Sequence, residues 1–330
     1  MACFWVGGSM ESGRRDVLRR LTTLGALSAG TAGVGVWLRG RSKWSEEPVP
    51  ADLRRTFGVP ADPNLPELVV ARGDAPEQLV RKAISELGGI RRFVSTGDVV
   101  VVKPNIGWDR TPEQAADTNP DVVAGTVKLC LEAGAKRVIV TDVSTNEPRR
   151  CFARSGIGAA AKAAGAEVVL PEDRLFRDVN LRGDVLSVWP VLRPFLEADK
   201  VINLAIAKHH SLTGTTLGFK NWYGILGGPR HQLHQHIHES LVDLADFMRP
   251  ALTIIDAWRV LLRNGPTGGN LEDVVFGKTL IAATDPVAAD AWAAKEYWGI
   301  EPHNLRYLEL AGARGLGKSD LQSVRLKLVA

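Results

Sequence analysis

Cysteine is scarce. The 330-residue chain holds three, Cys3, Cys130 and Cys151, and no C-x-x-C pair. An iron–sulfur cluster needs closely spaced thiolates, so none is expected. So few cysteines also exclude a disulfide-built scaffold. Cys130 falls in an apolar helical pattern and reads as a small core residue. No G-x-G-x-x-G follows a strand pattern, and neither a Walker sequence nor a G-x-S-x-G elbow is present. The commonest dinucleotide, nucleoside-triphosphate and serine-hydrolase signatures are therefore missing. Internal repeats and low-complexity tracts are missing as well.

Positive charge is unevenly spread. The chain has 41 Lys and Arg against 37 Asp and Glu, a net charge of +4. Residues 1–45 carry seven of those bases (Arg14, Arg15, Arg19, Arg20, Arg39, Arg41, Lys43) against Glu11 and Asp16, or +5. The rest of the chain is at −1. Beyond position 45 no basic run interleaved with aromatics appears, so a nucleic-acid partner is not expected.

Arg14-Arg15 is followed by an uncharged stretch from Leu21 to Leu38 that contains Gly25, Gly30, Gly33 and Gly35. A basic region before a modest apolar one is the pattern of an export signal. The paired arginines resemble a twin-arginine signal, with Val17 and Gly13 departing from the usual residues. Residues 1–45 are thus expected to be a twin-arginine signal or anchor. The protein is expected outside the cytoplasm, in the periplasm or its equivalent, with the export machinery as a partner. Membrane contact is expected only through residues 21–38. Pro48, Pro50, Pro60, Pro63 and Pro66 mark residues 46–66 as a stiff linker.

From residue 67 to 330 the chain reads as one α/β domain. Strand patterns at Leu68–Ala71, Asp98–Lys103, Arg137–Thr141 and Glu167–Leu170 alternate with helix patterns at Pro76–Leu87, Pro120–Ala133 and a helix ending at Ala164. Further strands are predicted at Lys200–Leu204, Leu252–Asp256 and Lys278–Ala283, with a final helix from Asp285-Pro286 to Trp298. Continuous Val and Ile runs suit strands buried on both faces. The expected fold is α/β: a mostly parallel sheet with helices on both faces, in Rossmann-like layers.

Ligands of such sheets sit at the carboxyl ends of the strands. Three polar clusters fall there: Lys103-Pro104-Asn105; Thr141-Asp142 with Ser144-Thr145-Asn146; and Lys208-His209-His210 running on to Lys220-Asn221-Trp222-Tyr223-Gly224. Six of the seven histidines lie between His209 and His238. Neutral imidazole is the commonest metal ligand. In a helix His231, His234 and His238 would share a face; in an extended segment His234, His236 and His238 would. Asp142, Asp256 and Asp285 each end a strand and could serve as base, ligand or cap. Asp285 before Pro286 already has a full explanation as an N-cap.

Together these clusters resemble the DUF362 family, a family of unknown function, over roughly Asp98 to Trp298. The resemblance rests on Lys103-Pro104-Asn105, Lys208-His209-His210 with Thr213-Gly214, Lys220-Asn221 with Gly224, Gly265-Pro266, and Asp285-Pro286-Val287-Ala288 with Asp290. Many relatives carry ferredoxin-like cysteine motifs; this chain carries none. His210, Lys220 and His236 are also spaced like residues of nickel-dependent lactate racemases. That similarity implies Lys220 as a cofactor attachment point, His236 as a metal ligand and His210 as an acid–base group. The expected protein is an exported, metal- or cofactor-dependent enzyme acting on a small anion; a non-catalytic envelope metal- or anion-binding protein is the alternative. The class of reaction stays open between racemase or isomerase and oxidoreductase. Expected catalytic residues are His210 and Lys220. Expected cofactor contacts are Lys103, Asn105, Lys208, Asn221 and Asp285. Expected ligands of a divalent metal, with nickel one option, are His231, His234 and His236.

Overall fold

Short runs of valine, isoleucine and leucine, too brief for helices, assemble the centre of the molecule. The structure, a computed structural model, describes residues 55–330. The signal and anchor expected in residues 1–45 lie outside those residues. In chain order the strands are β1 (Arg55–Thr56), β2 (Leu68–Arg72), β3 (Val99–Pro104), β4 (Arg137–Val140), β5 (Glu167–Val168), β6 (Phe176–Asn180) and β7 (Val188–Leu192). They continue with β8 (Lys200–His210), β9 (Gly214–Thr216), β10 (Met248–Arg249), β11 (Leu252–Leu261), β12 (Val274–Ala283) and β13 (Leu326–Val329). The main sheet has the order β13-β2-β12-β11-β8-β3-β4-β5, with β9 paired to β8. Among the described residues only β12 and β9 run against their neighbours in it. The sheet is mostly parallel, and Val100–Val102, Val201, Ile202 and Leu204–Ala207 are buried almost completely.

The helices are α1 (Pro76–Glu86), α2 (Pro120–Glu132), α3 (Pro148–Arg154), α4 (Ile157–Ala163), α5 (Arg193–Glu197), α6 (Gly218–Asn221), α7 (Ile237–Phe247), α8 (Pro286–Trp298) and α9 (Arg306–Ala313). Proline in the first turn starts α1, α2, α3 and α8, and the Asn119 side chain accepts the Asp121 N–H ahead of α2. The right-handed crossover rule sorts the helices by the direction in which the chain moves across the sheet. The crossovers β2-α1-β3, β3-α2-β4 and β4-α4-β5 all move one way, and α1, α2 and α4 pack in series on that face. The chain then reverses, and α6, α7, α8 and α9 pack together on the other face.

Two boundaries differ from the sequence expectation. β8 continues past Leu204 through Lys208-His209-His210, because β9 folds back and pairs Lys208 with Thr216 and His210 with Gly214. β11 and β12 likewise extend into a longer ladder beyond an irregularity between Ala257 and Arg259. Within the segment expected as a linker, Arg55 and Thr56 pair in parallel with Met248 and Arg249, and Phe57 is buried. Cys130 and Cys151 are both buried free thiols; burial pushes the Cys130 thiol up to about 12.

A cationic cavity at the carboxyl ends of the central strands

Parallel register places the ends of β3, β4 and β8 side by side: Val102 lies beside Val140 on one flank and Ile202 on the other. The chain topology reverses at this point, the place where an open α/β sheet leaves a crevice. A cavity of about 400 Å³ opens here. Its lining includes Asn105, Lys208, His210, Lys220, Asn221, His231 and His234, seven of the ten residues expected from sequence.

The wall is a hydrogen-bonded network around Asn221, at the end of α6. Lys103 Nζ donates to Asp142 Oδ1 (2.7 Å), Asn221 Oδ1 (3.0 Å) and the Pro104 carbonyl (3.0 Å). Asn105 Nδ2 also donates to Asn221 Oδ1 (3.1 Å), and Asn221 Nδ2 donates to Asn203 Oδ1 (2.8 Å). Lys208 Nζ donates to Asn105 Oδ1 (3.0 Å) and to the Ala116 carbonyl. Asp142 Oδ2 accepts the Ile106 N–H (2.6 Å). Removing one partner of a buried pair such as Lys103–Asp142 typically costs about 3–5 kcal/mol, since the other charge stays buried. Gly224 allows this packing: a Cβ there would stand 1.8 Å from Asp142 Oδ1.

Three of the residues named from the sequence lie outside the cavity lining. Lys103 does not line the cavity. It is fully buried behind Asp142 and Asn221 and holds the wall. Asp285 is a helix cap away from the cavity: its carboxylate accepts the Ala288 N–H (2.9 Å) at the start of α8 and the Lys318 N–H (2.8 Å). His236 is exposed and outside the lining. The cause lies in the backbone. Arg230–His236 is a 3₁₀ turn, neither α-helix nor strand, so residues three apart eclipse. His231 and His234 therefore face the cavity together, while His238 stacks parallel to Tyr307 with ring centres 6.5 Å apart. Among the described residues no group of three His, Cys, Asp or Glu converges to hold a metal ion. A divalent metal held by protein ligands alone does not fit this donor set.

The cavity is rich in cations. Lys220, on α6, is half-buried, with Nζ 3.4 Å from the centre of the Tyr223 ring. No carboxylate lies within ion-pair distance of it among the described residues. Burial, then Lys208, Arg230 and Lys103, hold its amine well below the usual lysine range. Burial pushes Lys208 down to about 8. The Leu212 N–H donates to His210 Nδ1 (3.1 Å), which leaves the ring proton on Nε2. Burial first and Lys220 second push His210 down to about 3, so the ring is neutral.

Among the lining residues that sequence reasoning missed are Arg230, Thr216 and Trp108. Arg230 donates to the carbonyls of Val143 (2.7 Å), Ser144 (2.7 Å) and Tyr223 (3.2 Å), fastening two loops while adding charge. Thr216 is 3% exposed, and its hydroxyl has no partner among the described residues. Trp108 donates its N–H to Asp117 Oδ1 (3.0 Å). Arg230 adjoins the histidine-rich run and was legible as part of it; Thr216 and Trp108 carry no local signal. Asp256, a candidate from sequence, braces a loop instead: it accepts the N–H groups of Asn119 (2.8 Å) and Trp258 (3.0 Å).

The fold and site define an α/β protein with a cavity at the switch point of its sheet. The chain belongs to the DUF362 family, a domain of unknown function, whose profile matches residues 100–295. The thylakoid-associated protein sll1697 of Synechocystis sp. is 29% identical over 244 residues, 68% of this chain and 75% of that protein. Among solved structures, the lactate racemase apoprotein from Thermoanaerobacterium thermosaccharolyticum is similar at a TM-score of 0.40 and 11% identity, over 76% of this chain and 60% of that one. A Thermotoga maritima protein is similar at 0.37 and 14%, over 73% and 60%. The chain thus spans about three fifths of the length of both solved structures.

Proposed function

We propose that this protein is an enzyme acting on a small anion held in the cavity, with Lys220 and His210 as the reacting groups. One observation carries the reading. Lys220 lines the cavity without a carboxylate partner, among further cations. A cavity with excess positive charge and a low-dielectric wall attracts an anion. A lysine with a lowered pKa is half-way to a nucleophile or base at neutral pH. A neutral imidazole beside it can donate Nε2–H to an oxygen of the ligand. The excess of Arg and Lys in residues 1–45, with the apolar stretch 21–38, supports export of the mature protein.

Calorimetric titration with inorganic phosphate and a panel of short carboxylates tests the site. Binding is expected with proton uptake, because an anion beside Lys220 raises its affinity for a proton. Lys220→Met should reduce the proton uptake, leaving only that of Lys208, and weaken binding about tenfold, or about 1.4 kcal/mol. Failure of the unmodified protein to bind any anion of the panel overturns the reading.

A further inference from the structure

The cavity contains two lysine amines in different situations. Lys208 is tied down by Asn105 and the Ala116 carbonyl. Lys220 has its Nζ 3.4 Å from the centre of the Tyr223 ring, which positions the amine without supplying a counter-ion. Among the described residues the one carboxylate lining the cavity, Asp142, is already engaged by Lys103 and by the Ile106 N–H. A lysine meant to anchor an anion by charge alone has to stay protonated. Here burial and neighbouring cations work against the ammonium form, and the amine lone pair is left available. The amine is also held in place. Asp290, fully buried on α8, accepts the Gly218 N–H (2.8 Å) and the Phe219 N–H (3.1 Å), which fixes the start of the turn carrying Lys220.

We propose that Lys220 forms an imine with a small 2-oxo acid, its amine adding to the ligand carbonyl while the surrounding cations hold the ligand carboxylate. This rests on the reading of the cavity as an anion site. The step is balanced without any co-reactant. The amine nitrogen bonds the carbonyl carbon to give a carbinolamine. The carbon–oxygen bond then breaks, and oxygen leaves as water with the two amine hydrogens, giving C=N. His210, neutral and carrying its proton on Nε2, is the donor to the carbonyl oxygen during addition. The unpartnered Thr216 hydroxyl is a second donor to the bound acid.

The test uses the full chain with sodium cyanoborohydride and a panel of glyoxylate, pyruvate and 2-oxoglutarate. Expected is a mass addition of one ligand less one oxygen, mapped to the Lys220 peptide at neutral pH. Exposed lysines such as Lys128 should stay unmodified. Lys220→Arg should lose the adduct while melting at the temperature of the parent. The corresponding 2-hydroxy acids, which lack the carbonyl, form the second arm, read by calorimetry. If they bind and no oxo acid is trapped, the imine is overturned and the anion site stands. If neither arm shows binding or adduct, both readings fall.

Discussion

At His210 burial and charge act in the same direction. His210 is 6% exposed, and burial first, then Lys220 and Lys208, disfavour the imidazolium, so its pKa falls to about 3, against about 6.5 when unfolded. The sign follows from proton linkage: the unfolded chain binds this proton more readily. Stability from this group is present above about pH 6.5 and is lost as pH falls toward 3. Asp256 and Asp290, pushed up to about 6 and about 7 by burial, act oppositely over part of that window, so the difference from a variant is the proper readout. His210→Asn is expected to lose less stability than the parent between pH 6.5 and 3, as measured by urea denaturation at stepped pH. Parallel pH dependences for the two proteins would contradict the assignment.

At the scale of elements, the site depends on how short segments begin and end. The 3₁₀ turn at Arg230–His236 selects His231 and His234 and turns His236 away. The start of α8 is capped by Asp285, which also ties down the Lys318 N–H. Asp285→Ala is therefore expected to cost about 1–2 kcal/mol of unfolding free energy, with anion affinity unchanged. A loss of affinity without a loss of stability would return Asp285 to the site. Gly218 sits so close to Asp290 that a Cβ would stand 2.8 Å from its carboxylate, so α6 is gripped by its backbone rather than by a side chain.

Across the whole molecule, contacts between distant positions set where the domain starts. Residues 55–66 lie against the body. β1 pairs with β10, Phe57 is 6% exposed, and Arg325 donates to the Leu65 carbonyl (2.9 Å). A chain beginning at Pro48 is expected to unfold at the same urea concentration as the full chain. One beginning at Glu67 should be less stable by about 2 kcal/mol, the burial of one large apolar side chain. Equal stability of both truncated chains would show that this segment contributes nothing.

The sequence by itself determined the layers. Strand runs of valine and isoleucine, proline-started helices and short connections specify an α/β sheet, because each is a local property of the backbone and of apolar burial. It also brought most of the cavity within view: Asn105, Lys208, His210, Lys220 and Asn221 lie at strand ends or just beyond them. Roles that depend on contacts across the chain were not legible. Lys103 and Asp142 are 39 residues apart and become a buried ion pair only when β3 and β4 lie in register. Thr216 reaches the cavity only because β9 folds back on β8. Local pattern reports which residues can reach a strand end. Which of them face the ligand, which face each other and which amine stays without a counter-ion is settled by long-range packing, where burial decides the cost of every charge.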